Sequence, residues 1–511
     1  MALQACGSDD ELNLEPVPGF DGMVSSGEPN ATLIGREILA QGGTVADAAV
    51  AVSFALSVTY PSRLSLGGGG ICVLHDRERQ LTEALSFLPF SAPAGGVPPG
   101  LARGLEALHA RYGVLQWNQL VAPGENLARF GFKTSRALAA DIVAAQASLR
   151  QDPTASALFL PNGQPLTTGQ TLQQVNLAST LSGIRNRASA LFLTGDTGPI
   201  LAKESSQLGL PLTESDLRIR VPEYLVPLRI EYGSDYLYIT PPPAANGLVA
   251  AEMFQILRDI VDYEGATGAA REHLFLEASA QSFADRSTWL ASNTQAIYSV
   301  TTVLDSAALS ARLAGIGQGP HKPASALVPA PRQIIEPLAG TAFVIGDRYG
   351  NAIGCSLTNN GLFGSARMAP TSGILLAAPP PDNLVVSPVA ALVTSIGTER
   401  GRLAVAASGG ATGATALARL VVDLVEREMT LAEAMREVRV HHNGLPDVAF
   451  VEDRLDNGTQ QGLLELGHSL QRVPGLGEVQ AWYCPEGILQ VPELCSVETD
   501  PRGFGLSTLA P

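Results

Sequence analysis

The sequence predicts an α+β fold in which helices cover β-sheets, and three observations lead there. Residues 30–60 carry apolar side chains at helical spacing: Leu33, Ile34, Ile38 and Leu39, then Val45 through Val58. Thr341–Ile345 and the run ending at Thr358 are strand-like and flank the turn Asp347-Arg348-Tyr349-Gly350-Asn351, which reads as a β-hairpin. Helical patterns occupy both ends of the chain, with strand patterns between them.

Taken in order, residues 1–20 are polar and read as a tether. Gly42-Gly43 divides the first helical run in two. Ile71–Leu74 is a strand after the glycines Gly67–Gly70. Residues 101–150 are mostly helical, and residues 228–240 alternate like one strand that stops at Pro241-Pro242-Pro243. Helices are expected over 248–262 and 271–291. Residues 318–339 carry Gly319, Pro320, Pro323, Pro329 and Pro331, which excludes a regular element and predicts a surface loop ending at Gly340–Thr341. Gly409-Gly410 precede a helix from about Ala414 to Glu428.

Composition narrows the function. The chain has 511 residues, 45% of them apolar and 16% charged, enough for a large core. A net charge of −16, with no basic run, argues against a nucleic-acid partner. No apolar stretch reaches the ~20 residues that span a bilayer. The longest, Ala48–Val58, reads as a buried helix. Leu3-Gln4-Ala5-Cys6-Gly7-Ser8 is similar to the end of a bacterial lipoprotein signal without its apolar region. Cys6 is therefore a candidate lipidation site, and the bacterial envelope, periplasmic or lipid-anchored, the expected location. Cys72 and Cys355 lie in apolar strand-like runs and are expected to be buried thiols, whereas Cys484 and Cys495 flank a short segment and could pair in an oxidising compartment.

A Thr directly after Gly at the mouth of a hairpin suits an N-terminal nucleophile. If the backbone is cut before it, the freed α-amino group, with a reference pKa of ~7.7–8.0, can take the hydroxyl proton. By itself Thr341 reads first as an ordinary strand residue. The stretch 340–376, GTAFVIGDRYGNAIGCSLTNNGLFGSARMAPTSGILL, resembles the start of the small subunit of γ-glutamyltransferases, which are N-terminal nucleophile hydrolases. Residues 22–74 resemble that family's opening without gaps. VPPGLARGLEALHARYG (97–113), PPPAANG (241–247), ASGG (407–410) and VRVHHNGLPD (438–447) follow in family order.

The resemblance implies a four-layer αββα sandwich, built jointly by a large segment, 21–340, and a small segment, 341–511, which stay associated after a cut between Gly340 and Thr341. It implies Thr341 as nucleophile, Thr358 as its support, and the N–H groups of Gly409 and Gly410 as the oxyanion hole. Asn360, Asp382 and Ser387 would bind the substrate. A small amide or peptide is the implied partner. No cofactor is implied, and the adjacent His441 and His442 match a structural pair, so no metal is assigned. Gly67–Gly70 is read as close backbone packing, since it lacks phosphate-loop spacing.

Two departures bear on activity. In the family the nucleophile lies seven residues before the turn Asp; Asp347 is six after Thr341, so an ungapped alignment puts Gly340 in that place. Either one residue is deleted between Thr341 and Phe343 and Thr341 keeps its role, or the nucleophile is lost and the protein is an unprocessed small-molecule binding protein. The family's carboxylate-gripping Arg is also absent from Ser86-Phe87-Leu88-Pro89-Phe90-Ser91-Ala92-Pro93, and Arg63, just ahead of the glycine run, is a candidate substitute. The expected function is a self-processing acyltransferase or amidohydrolase acting on γ-glutamyl or related amides.

Overall fold

In the computed structural model, residues 19–219, 221–290, 303–328, 333–397, 400–488 and 491–510 are described. Cys6 and most of the expected tether lie outside them. Two sheets stack face to face. One runs, edge to edge, Leu506–Ala510, Gly22–Ser26, Thr341–Asp347, Ala352–Thr358, Gly69–Asp76, Leu81–Phe87 and Glu223–Leu225. The other runs Ser496–Thr499, Glu478–Tyr483, Gly401–Ser408, Val389–Ser395, Asp235–Ile239 and Leu228–Tyr232. Each sheet draws strands from both sides of the Gly340–Thr341 bond.

The alternation of side chains along each strand makes the layers. Phe343 and Ile345 join the core beneath helices Pro29–Ala40, Val45–Thr59 and Leu101–Tyr112, while Ala342 and Val344 face the second sheet with Ala390, Leu392, Ala404 and Ala406. The small inter-sheet residues let the two sheets approach closely. On the far side, helices Asn246–Gln255, Gly268–Trp289 and Ala411–Val425 cover the second sheet. The result is the four-layer αββα sandwich. Helix Val45–Thr59 is buried along its whole length, as apolar residues on every face require, and a reciprocal Thr44–Asp47 capping box starts it.

Three expectations need correction. The segment 228–240 is two strands, Leu228–Tyr232 and Asp235–Ile239, folded at Gly233, whose φ of +54° suits glycine. The alternation survives across a two-residue turn, so periodicity alone reads as one strand. The segment 318–339 contains a helix, Ala324–Leu327, and Ala324 and Val328 are buried against Ala284, so part of it is packed rather than superficial. Cys72 and Cys355 are buried but are not thiols: they are paired residues on adjacent strands and form a disulfide. Cys484 and Cys495 form a second one.

Candidate active site

The hairpin delivers the junction to one end of the sandwich. Its ladder is unbroken from Ala352↔Gly346 to Leu357↔Thr341, so no bulge offsets the missing residue. Thr341 therefore shares a face with Phe343 and Ile345. Its hydroxyl is buried, has no hydrogen-bond partner among the described residues, and lies 3.0 Å from where a Cβ on Gly27 would stand. The opposite face belongs to position 340, where an added Cβ would stand 2.9 Å from the Leu357 carbonyl oxygen, 3.8 Å from Ser408 Cβ and 3.9 Å from Thr358 Cβ. Tyr60 is pushed well above the usual tyrosine pKa by burial, so it stays a neutral phenol.

Thr358 braces the junction. Its hydroxyl donates to the Ala339 carbonyl (3.1 Å) and accepts from Asn360 N–H (2.9 Å). Asn360 sits at φ +59°, a left-handed conformation that Asn tolerates, and its amide donates to the carbonyls of Pro89 (2.6 Å) and Ala378 (2.9 Å). With both N–H bonds committed, only its carbonyl oxygen remains to meet a ligand, which must then be a donor such as an ammonium. Asp382 is exposed in the turn Pro381–Asn383, which is pinned where Asn383 Oδ1 accepts from Ser91 N–H (2.8 Å).

Gly409 (φ +111°) and Gly410 (φ +66°) turn the chain from strand Gly401–Ser408 into helix Ala411–Val425. Few side chains tolerate those angles, and the turn lays the backbone open at a helix N-terminus. Gly409 lines a cleft of about 610 Å³ with Ser408, Thr412, Glu478 and linker residues Gln333–Glu336 and Leu338. Burial raises the carboxyl pKa of Glu478. By contrast, Gly67–Gly70 packs against backbone: a Cβ at Gly69 would lie 2.0 Å from the Phe87 carbonyl oxygen.

A carboxylate receptor adjoins this cleft, and the sequence did not point to it. Glu336 projects from the linker into buried surroundings. Its carboxylate is ion-paired with Arg286 and accepts from Asn246 Nδ2 (2.7 Å) and from Ser387 Oγ (3.3 Å). Arg286 also donates to Asn246 Oδ1 (2.5 Å), and its guanidinium lies over the Phe283 ring. The two other arginines at the cleft have partners outside the linker. Arg63 is locked by two hydrogen bonds to Asp141 (2.7 and 2.9 Å), which removes it as the substitute clamp, and Arg502 is held by Glu452 and Asp500. One signal was readable beforehand: Glu336 is the only acidic residue between Asp305 and Asp347. What receives it is set by tertiary contact.

His441 and His442 diverge. His441 lines the cleft with Nδ1 3.2 Å from Thr415 Oγ1, and burial, with His442 and Arg286 nearby, lowers its pKa to about 3, so it is neutral. His442 turns away toward Asp447.

The comparisons agree with this architecture. The gamma-glutamyltranspeptidase family model matches residues 31–95, 88–379 and 381–507. The glutathione hydrolase proenzyme of Escherichia coli is 28% identical, the match covering 91% of this chain and 88% of that protein. The acylase ACY 1 proenzyme of a Pseudomonas strain, V22, is also 28% identical, with 90% and 89% covered. Among solved structures, cephalosporin acylase from Bacillus halodurans superposes with a TM-score of 0.83 over 99% of both chains at 21% identity. The gamma-glutamyltranspeptidase of Helicobacter pylori gives 0.55 over 60% of this chain and 95% of that one, at 24% identity. No described helix is long and apolar enough to cross a membrane. With the αββα sandwich in place and the family model matched along nearly its whole length, this chain belongs to the gamma-glutamyltranspeptidase family.

Proposed function

We propose that this protein is a self-processing amide hydrolase or acyltransferase whose acyl donor carries a free carboxylate. The observation that carries this reading is Glu336 in the grip of Arg286, Asn246 and Ser387, beside a cleft lined by Gly409. Once the chain is cut before Thr341, residues 333–340 are free to withdraw. A buried guanidinium without a counter-charge is costly, by roughly 3–5 kcal/mol when a buried pair is broken. A substrate carboxylate restores the pairing. Asn360 Oδ1 and Asp382 would take an ammonium, as on a glutamyl group, while a plain dicarboxylic acyl group would use Arg286 alone. The relatives named as glutathione hydrolase and as acylase support an amide or acyl substrate.

The chemistry follows from the freed Thr341. Its amine accepts the hydroxyl proton, the oxygen attacks the substrate amide carbonyl, and the oxyanion receives the N–H groups of Gly409 and Gly410. The proton passes to the leaving amine, and water or a second amine then cleaves the Thr341 ester. The present position of the hydroxyl, buried beside Gly27, makes the cut a precondition. Until the bond opens, the residue is held at both ends. Two disulfides favour an oxidising location such as the bacterial envelope.

Intact mass with N-terminal sequencing tests the reading. Two fragments, the smaller beginning at Thr341 and absent from Thr341→Ala, are expected. The unbroken ladder from Gly346 to Thr341 favours a second reading, in which the chain stays whole and the receptor binds small ligands without turnover. A single full-length species, identical in wild type and Thr341→Ala, selects it.

A further inference from the structure

Away from the cleft, four histidines and two carboxylates form one knot. His273 and Glu277 are one turn apart on helix Gly268–Trp289, His468 follows helix Asn457–Glu465, and His321, His442 and Asp447 come from loops around them. What each ring nitrogen already does separates them. His321 has Nδ1 against Glu277 Oε1 (2.5 Å) and Nε2 against Asp447 Oδ1 (2.9 Å), so both its nitrogens are engaged. His442 Nδ1 accepts from Gly444 N–H (3.1 Å), which places its proton on Nε2, 3.2 Å from Asp447. Neither ring has a lone pair to offer.

His273 and His468 differ. His273 Nδ1 and His468 Nε2 face each other at 2.7 Å, so two lone pairs share one proton. Among the described residues, His468 Nδ1 is buried without a hydrogen-bond partner. Both histidines and Glu277 are 3% exposed, and one donor atom from each lies within 4.8 Å of the others. Two imidazole nitrogens and a carboxylate oxygen, buried and convergent, make the donor set of a borderline divalent transition ion. Tetrahedral binding at ~2.0–2.1 Å would part the two nitrogens to ~3.3 Å, a shift of about 0.6 Å that small ring rotations supply.

We propose that His273 Nδ1, His468 Nε2 and Glu277 bind a divalent transition-metal ion of the zinc or cobalt type. The ion takes the place of the shared proton, which shifts to the far nitrogen of its own ring so that both imidazoles stay neutral, and keeps one coordination position for water. Its role is structural: it ties helix Gly268–Trp289, which carries Arg286 near its other end, to the segment after Glu465. Glu277 also contacts His321, so the ion is linked to the linker that precedes Thr341. The proposal is independent of catalysis.

Untagged full-length protein, stripped with chelator, is titrated with Co²⁺ and followed by its visible ligand-field absorption, then by Zn²⁺ displacement. One equivalent is expected. His273→Ala, His468→Ala and Glu277→Gln should each weaken binding by at least ~100-fold, since even partners outside the coordination shell cost 10–100-fold. His442→Gln should bind as wild type does. Glu277→Gln keeps the side-chain shape and serves if an Ala variant fails to fold by circular dichroism. No saturable band at one equivalent, or a band retained in Glu277→Gln, overturns the proposal. So does a band lost equally in His442→Gln.

Discussion

The Cys72–Cys355 disulfide joins residues on opposite sides of the Gly340–Thr341 bond, and removing it gives two readouts. In an uncut chain the bridge closes a loop across a sequence separation of 283. The chain-entropy relation assigns such a loop about 5.6 kcal/mol at 25 °C, and residual order in the denatured chain lowers the realised value toward ~3–5 kcal/mol. Spread over an unfolding entropy of about 2.1 cal/mol/K per residue, this lowers Tm by roughly 3–5 °C in Cys72→Ala/Cys355→Ala. In a cut chain the same bridge is a tether between fragments. Processed protein should then run as one species without reductant and as two with it, while the double Ala variant shows two under both conditions. Thiol titration in guanidinium without reductant should find only Cys6. Finding the four bridged cysteines reactive there, or an unchanged Tm in uncut double variant, would refute the reasoning.

Further outcomes follow from the site and the hairpin. Arg286→Met should lower kcat/KM for carboxylate-bearing amides by about 10–150-fold, from ~1.5–3 kcal/mol of charged hydrogen bonding, and leave carboxylate-free analogues nearly unchanged in steady-state assays. Gly409→Ala, forced to φ +111°, should turn its N–H away from the oxyanion and cost about 10²-fold in kcat with little change in KM. Asp347 titrates at about 6 because burial outweighs its hydrogen bonds to Val45, Tyr349 and Asn351. Its folded pKa lies above the unfolded value of 3.8, so the unfolded chain ionises first. Stability should fall as pH rises from about 4 to about 6, by up to ~3 kcal/mol from this group, and level off above. In Asp347→Asn that part of the slope should vanish from urea unfolding measured across the range.

Much of the fold was legible because its determinants are local. The helix pair 29–59 announced itself by apolar spacing and two glycines, and the hairpin by two apolar runs around Asp347–Asn351. The chain's own pattern also marked the Gly409-Gly410 turn, where a left-handed φ leaves little choice but glycine. Where local signals were ambiguous, reading failed. Residues 228–240 keep their alternation through a two-residue turn. Cys72 and Cys355 look like buried thiols until adjacent strands pair them.

The sequence by itself determined the helix pair, the hairpin and the family, since periodicity and residue type act over a few positions. The tertiary structure alone decided which charges meet. Arg286, Asn246, Glu336 and Ser387 are spread over 141 positions, and His273 and His468 are 195 apart. Nothing in the spacing of such residues predicts contact, because sheet stacking and helix docking bring them together. Burial then gives each meeting its energy. The strand register did the same for Thr341: the sequence posed a one-residue question, and an unbroken ladder set the face on which its hydroxyl stands.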